Sequence, residues 1–142
     1  MVKFQDIIDA MEISRNNFKK NLVEHVFYDT LTEKMIYISN PRNSLNKEFK
    51  TEILDRYLKN NRYIQIVSLL NDDLLVMKYI ESVSDLEIKA NLQMAFHGDN
   101  RYEKFIKCLE KFGYEKRFED FCYEQKSIEA QSFCQKHFIE FK

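Results

Sequence analysis

Only two glycines occur in this chain, Gly98 and Gly113, and they frame one amphipathic segment. Between them Tyr102, Phe105, Ile106, Leu109 and Phe112 recur every three or four positions, which lays a single apolar stripe along a helix. Asn100 is a natural cap for its start, with Glu103 reaching back from the third helical position. Gly113 is suited to the left-handed conformation that ends a helix. The scarcity of glycine also excludes: no Gly-rich loop is present to cradle a phosphate, so P-loop and dinucleotide fingerprints are absent.

At 142 residues the chain has the size of one domain and buries roughly two thirds of its unfolded surface without a metal or disulfide staple. There is no Trp, so 12 Phe and 8 Tyr supply the aromatic bulk of the core. Lys and Arg number 22 against 23 Asp and Glu, for a formal charge of −1. Such a balance gives no global field for DNA, RNA or an anionic membrane surface. Cys108, Cys122 and Cys134 form an odd set without a short paired spacing, and no apolar leader precedes Val2. A reducing cytoplasm is the expected compartment. Apolar runs such as Leu74 to Met77 are far too short to span a bilayer, so no membrane partner is expected.

Phe4, Ile7, Ile8 and Met11 stand at helical spacing and predict a helix over Lys3 to Ile13, with Ser14 to Asn21 as a polar connection. Leu22 to Asp29 and Lys34 to Ser39, rich in Val, Ile, Phe and Tyr and parted by Thr30 to Glu33, read as a β-hairpin. Met35 to Ile38 is continuously apolar, which calls for cover on the sheet's second face. Asn40 and Pro41 break the strand. Ser44 is placed to cap a helix whose face is Phe49, Ile53, Leu54 and Tyr57, ending near Lys59. A third strand is expected over Arg62 to Val67.

From Asn71 the pattern is helical. Asn71 caps, Asp72 and Asp73 suit the first turn, and Leu74, Met77 and Ile80 are expected inward. Ser84 with Glu87 reads as a capping box, and Val83 with Ile88 as a hydrophobic staple. After the glycine-framed segment a last helix runs from about Tyr114 to Phe138, with a break expected near Lys126 to Ser127. The expected fold class is therefore α+β, mostly α: a hairpin plus a third strand, forming a small antiparallel sheet packed against about six helices. A single domain covers residues 1–142, its sheet part about 1–68 and its helical part about 71–142 sharing one core.

Several blocks, in order, resemble a bacterial family known as Uncharacterised Protein Family zero-one-five-eight: VKFQDIIDAMEI, MIYIS, RYIQIVS, LVMKYIESV, AFHGDNRYEKFIKCL and GYEKRFEDFCYEQ, with a later pair at Phe133 and Cys134. They cover most of the chain apart from about Pro41 to Asn61. The departures are chemical. The family's arginine-rich glycine turn is here His97, Gly98, Asp99, Asn100 and Arg101, and Phe118 and Phe133 stand at its tryptophan positions. The resemblance implies a small cytoplasmic bacterial protein and assigns no activity.

His97, Arg101, Lys104 and Lys107 would lie along one side of the glycine-framed helix and, with Arg117 as a further candidate, could contact phosphates. Asp99, Glu103 and Glu110 in the same stretch cancel much of that field. Arg62 and Tyr63 read either as a recognition edge or as ordinary strand packing, with packing favoured. Cys134 and His137 share a helix face, but two ligands do not make a metal site, and Cys122 is about 18 Å away along a continuous helix. His25, His97 and His137 sit in separate elements with no local nucleophile and acid beside them. No catalytic residue, cofactor or metal is expected.

The reading is a non-catalytic protein-interaction or adaptor domain, with a protein partner or homo-oligomer favoured because the aromatic content exceeds what one small core encloses. Nucleic-acid binding through Arg101, Lys104 and Lys107 is the first alternative. An enzyme site assembled in three dimensions, for example around His97, is the second.

Overall fold

The computed structural model describes residues 1–16, 23–39 and 47–142. The end of the polar connection, Leu22, the Asn40–Pro41 break and the Ser44 cap lie outside the described residues. The elements are α1 (Phe4–Asn16), β1 (Val23–Asp29), β2 (Lys34–Ser39), α2 (Lys47–Leu58), β3 (Tyr63–Gln65), α3 (Asp72–Ser82), α4 (Leu86–Ala95), α5 (Arg101–Phe112) and α6 (Glu115–Lys136). An α+β fold dominated by helix, with one small antiparallel sheet, is thus what the chain adopts. It divides into two compact units, residues 1–69 with 127–142 and residues 70–126.

In the first unit the strand order is β2-β1-β3. β1 pairs antiparallel with both neighbours, Tyr28 standing between Met35 and Ile64. Period-two alternation sends Val26 and Tyr28 to one face, where they meet Ile7, Ile8 and Met11 of α1 and Ala130 and Cys134 of α6. Phe27 points the other way and is also fully buried, its ring 5.2 Å from Tyr57 of α2. The second face is covered, as the continuous apolar run required. The third strand is shorter than its apolar pattern, although Ile66 still donates its N–H to Val26 O at 2.8 Å. The last residues return to the first, with Lys142 N–H on Val2 O and Phe4 N–H on Lys142 O.

At the hairpin end Asp29 is the one buried charged residue in the described core, 4% exposed. Its carboxylate accepts from Arg62 Nε and Nη2, each at 2.8 Å, and from the Leu31 N–H at 2.9 Å. Arg62 first, and these turn donors after it, hold the Asp29 carboxyl well below the usual carboxylate range against the opposing effect of burial. Arg62 O in turn accepts from the Thr30 N–H and hydroxyl, so β3 is stapled to the hairpin turn.

In the second unit α3, α4, α5 and the first part of α6 enclose a core of Val76, Tyr79, Ile80, Val83, Leu92, Phe105 and Leu109. Phe105 meets Phe118 edge-on at 5.1 Å, and Tyr79 meets Phe118 and Phe121 at 5.2 and 5.4 Å. Such edge-to-face contacts are worth about 0.5–1.5 kcal/mol each beyond the area they bury. Asn71 caps α3 by accepting from the Leu74 N–H at 2.8 Å.

Several local expectations are corrected here. The inward face of α3 is Leu75, Val76, Tyr79 and Ile80, whereas Met77 is exposed. Six of the seven residues from Leu74 to Ile80 are apolar, so spacing alone does not set the helix's phase. The cap of α4 is Asp85, whose carboxylate accepts from the N–H groups of Glu87 and Ile88, rather than Ser84. Asn100 stands before α5 in the left-handed region at φ 56° and makes no side-chain cap bond. Gly113 ends that helix at φ 69° as expected, Tyr114 donating back to Leu109 O. Helix α6 runs unbroken through Lys126 and Ser127.

Candidate functional site

A cleft of about 440 Å³ opens in the first unit. One wall carries Gln65 at the end of β3, then Val67 and Leu69, alternate residues of the segment that follows. Of the residues between them, Ile66 is buried in the core and Ser68 is hydrogen-bonded to Glu129 of the opposite wall. The opposite wall is one face of α6, Glu129, Ser132, Phe133, Lys136 and His137, with Met11 of α1 between. Spacings of three and four place these α6 residues on one side of the helix.

The polar groups are ordered along that face. Glu129 accepts from Ser68 Oγ at 2.5 Å and from the Leu69 N–H at 2.9 Å, with Arg15 Nη1 at 3.8 Å. Arg15 is itself sunk in the unit, donating to Ser68 Oγ at 2.7 Å and to the Glu12 carboxylate. At the other end burial, reinforced by Lys136, pushes the His137 imidazole below its ordinary value, which leaves it neutral at pH 7. Its ring lies 4.6 Å from Phe133. Gln65 Nε2 lies 3.3 Å from His25 Nδ1. Lys136 makes no ion pair among the described residues.

The cations singled out on α5 are answered within the chain. Arg101 Nη2 is 2.7 Å from Asp73 Oδ2 and its guanidinium lies over Phe96 and Tyr102. Lys107 pairs with Glu103 at 3.3 Å, and Lys104 donates to the His97 carbonyl. Arg117 sits over the Tyr114 ring at 4.2 Å. In the first unit Arg62 holds Asp29 and lies over Tyr63, which packs edge-on against Tyr57 at 4.6 Å. Phe105 and Leu109 of the α5 stripe are buried, while Tyr102 and Ile106 stay exposed.

Cys134 is buried in the core while His137 lines the cleft, so the two do not converge. Burial raises the Cys134 and Cys108 thiols, the reverse of what a nucleophile needs. Among the described residues no group of three His, Cys, Asp or Glu is placed to hold a metal ion, and no helix is long and apolar enough to cross a membrane.

Helix α4 has a feature that sequence reasoning missed. Ile88 and Leu92 pack into the core, but Leu86, Ala90 and Met94, four apart, form a second apolar stripe on the opposite side. Leu86 is 79% and Met94 78% exposed. Their spacing was visible, yet two apolar stripes on one helix do not say which is covered. No protein-family profile, curated protein or solved structure matches this chain.

Proposed function

We propose that this chain is a non-catalytic protein-interaction or adaptor domain working in the cytoplasm, akin to the bacterial family whose block order it resembles. The observation that carries the reading is α4, a helix apolar on two opposite sides and covered on one. Covering Leu86 and Met94 is worth roughly 1.5–3 kcal/mol for each side chain fully buried. Two anchors of that size on one side of a helix are enough to centre a protein interface. A protein surface fits this stripe better than a nucleic acid does. The α5 cations Arg101 and Lys107 already face Asp73 and Glu103.

The test is the double substitution Leu86→Asp with Met94→Asp, read by light scattering and by affinity capture from the native cell. The expected result is loss of the captured protein or of the self-associated form, with circular dichroism unchanged. Capture and mass both unaffected by the double substitution would overturn the reading.

A further inference from the structure

We propose that the outer edge of β3 accepts a short extended segment of another protein as an added strand, seated in the cleft beside α6 with an acidic side chain at Lys136. This inference is independent of the α4 reading, which concerns another face in the other unit.

The sheet register places the cleft at that edge. Gln65 stands opposite Phe27 and shares its face of the sheet, the face on which Phe27 meets Tyr57 of α2. Helix α6 lies on the other face, where Ala130 and Cys134 pack with Val26, Tyr28 and Ile66. A cleft lined by both Gln65 and α6 therefore runs past the rim of the sheet, on the side of β3 away from β1.

The phase of the ladder determines what the rim presents. Arg62 O accepts from the Thr30 N–H, and Ile66 N–H donates to Val26 O, so the even residues bond toward β1. The N–H and C=O groups of Gln65 between them, and of Val67 after them, turn the opposite way. Among the described residues these four groups have no hydrogen-bond partner. The row is closed at both ends, because Tyr63 N–H donates to Asn60 O at 3.1 Å and Leu69 N–H to Glu129 Oε2 at 2.9 Å. Two donors and two acceptors at strand spacing match a second extended main chain, and the closed ends limit it to about five residues.

Side chains of an added strand alternate between the two faces of the sheet. Those on the cleft side meet Phe133 and Met11, with Val67 51% and Leu69 84% exposed in the free protein. Lys136 is the cation on this lining and makes no ion pair among the described residues. A carboxylate on the incoming segment is its match.

The experiment combines titration calorimetry and amide exchange on the full chain with the N-acetylated, C-amidated peptide Thr-Val-Thr-Val-Glu. Saturable binding below about 1 mM is expected, with slowed exchange at the Gln65 and Val67 amides. N-methylation at both valines removes the donors on one edge of the peptide, and N-methylation at the second threonine and the glutamate removes those on the other. One set should weaken binding by about tenfold or more and the other by less than about threefold, since only one edge faces β3. In Lys136→Gln the affinity should fall about fivefold for this peptide and hold for its glutamine counterpart. No saturation, equal losses from the two methylated sets, unchanged exchange at Gln65 and Val67, or an equal response of the two peptides to Lys136→Gln would each overturn the proposal. So would protection of those amides that rises with protein concentration when no peptide is present, which would assign the edge to a second copy of the chain.

Discussion

Around Asp29 the first unit sets a buried carboxylate against Arg62, and around Arg15 it gathers Glu12, Ser68 and Glu129. The second unit, where the described ion pairs are exposed, relies instead on edge-to-face contacts among Tyr79, Phe105, Phe118 and Phe121. The bonds of the first unit join distant segments, Arg62 to Asp29 across 33 positions and Ser68 to Glu129 across 61. The core of the second is drawn from consecutive helices. Directional polar bonds fix how remote pieces meet and respond to pH. Aromatic packing among neighbours responds to volume and forms with little loop closure.

The largest effect should come from Phe105→Ala, which removes a fully buried ring from the second core. A loss of about 3–5 kcal/mol is expected, with hydrogen-exchange protection falling first over residues 70–126. An equal fall over β1 and β2 would break the comparison.

Next is Asp29→Asn, which leaves Arg62 facing an uncharged amide. The melting temperature at pH 7 should fall by about 5–10 °C. Because the folded carboxyl titrates below its unfolded value of about 3.9, its contribution is complete above that range. It is lost as pH falls through the unfolded value toward the folded one, where protonation breaks the pair. The wild type should therefore lose stability below about pH 4 more steeply than the variant, and parallel acid limbs would count against a pH-sensitive staple.

A smaller loss, about 1 kcal/mol, is expected for Asn71→Ala, which leaves the Leu74 N–H without its cap. Chemical denaturation with region-resolved exchange should confine it to the second unit. Smallest is Lys107→Gln, an exposed i,i+4 pair with Glu103, expected within about 0.5 kcal/mol. The same variant sharpens the functional contrast. Filter binding across a salt series should show no nucleic-acid retention by either protein, and a steep salt dependence lost in the variant would favour phosphate contacts.

Local periodicity and turn chemistry were enough for the hairpin, the α5 helix, the Asn71 cap and the left-handed Gly113, since each depends on residues within a few positions of one another. They failed where neighbouring choices were nearly equal, as between Ser84 and Asp85, or where apolar residues filled every phase, as in α3. Of the candidate site, the residues Cys134 and His137 could be named, but not that one enters the core and the other the cleft.

What sequence alone determined is the set of elements and the apolar face of each helix that has only one. Which face of α4 is covered, which carboxylate Arg62 reaches, and how Met11, the segment after β3 and one face of α6 come to line one cleft were decided only in three dimensions. Propensity and periodicity act over a few residues along the chain. Burial and ion pairing act between surfaces, whose partners no local pattern specifies.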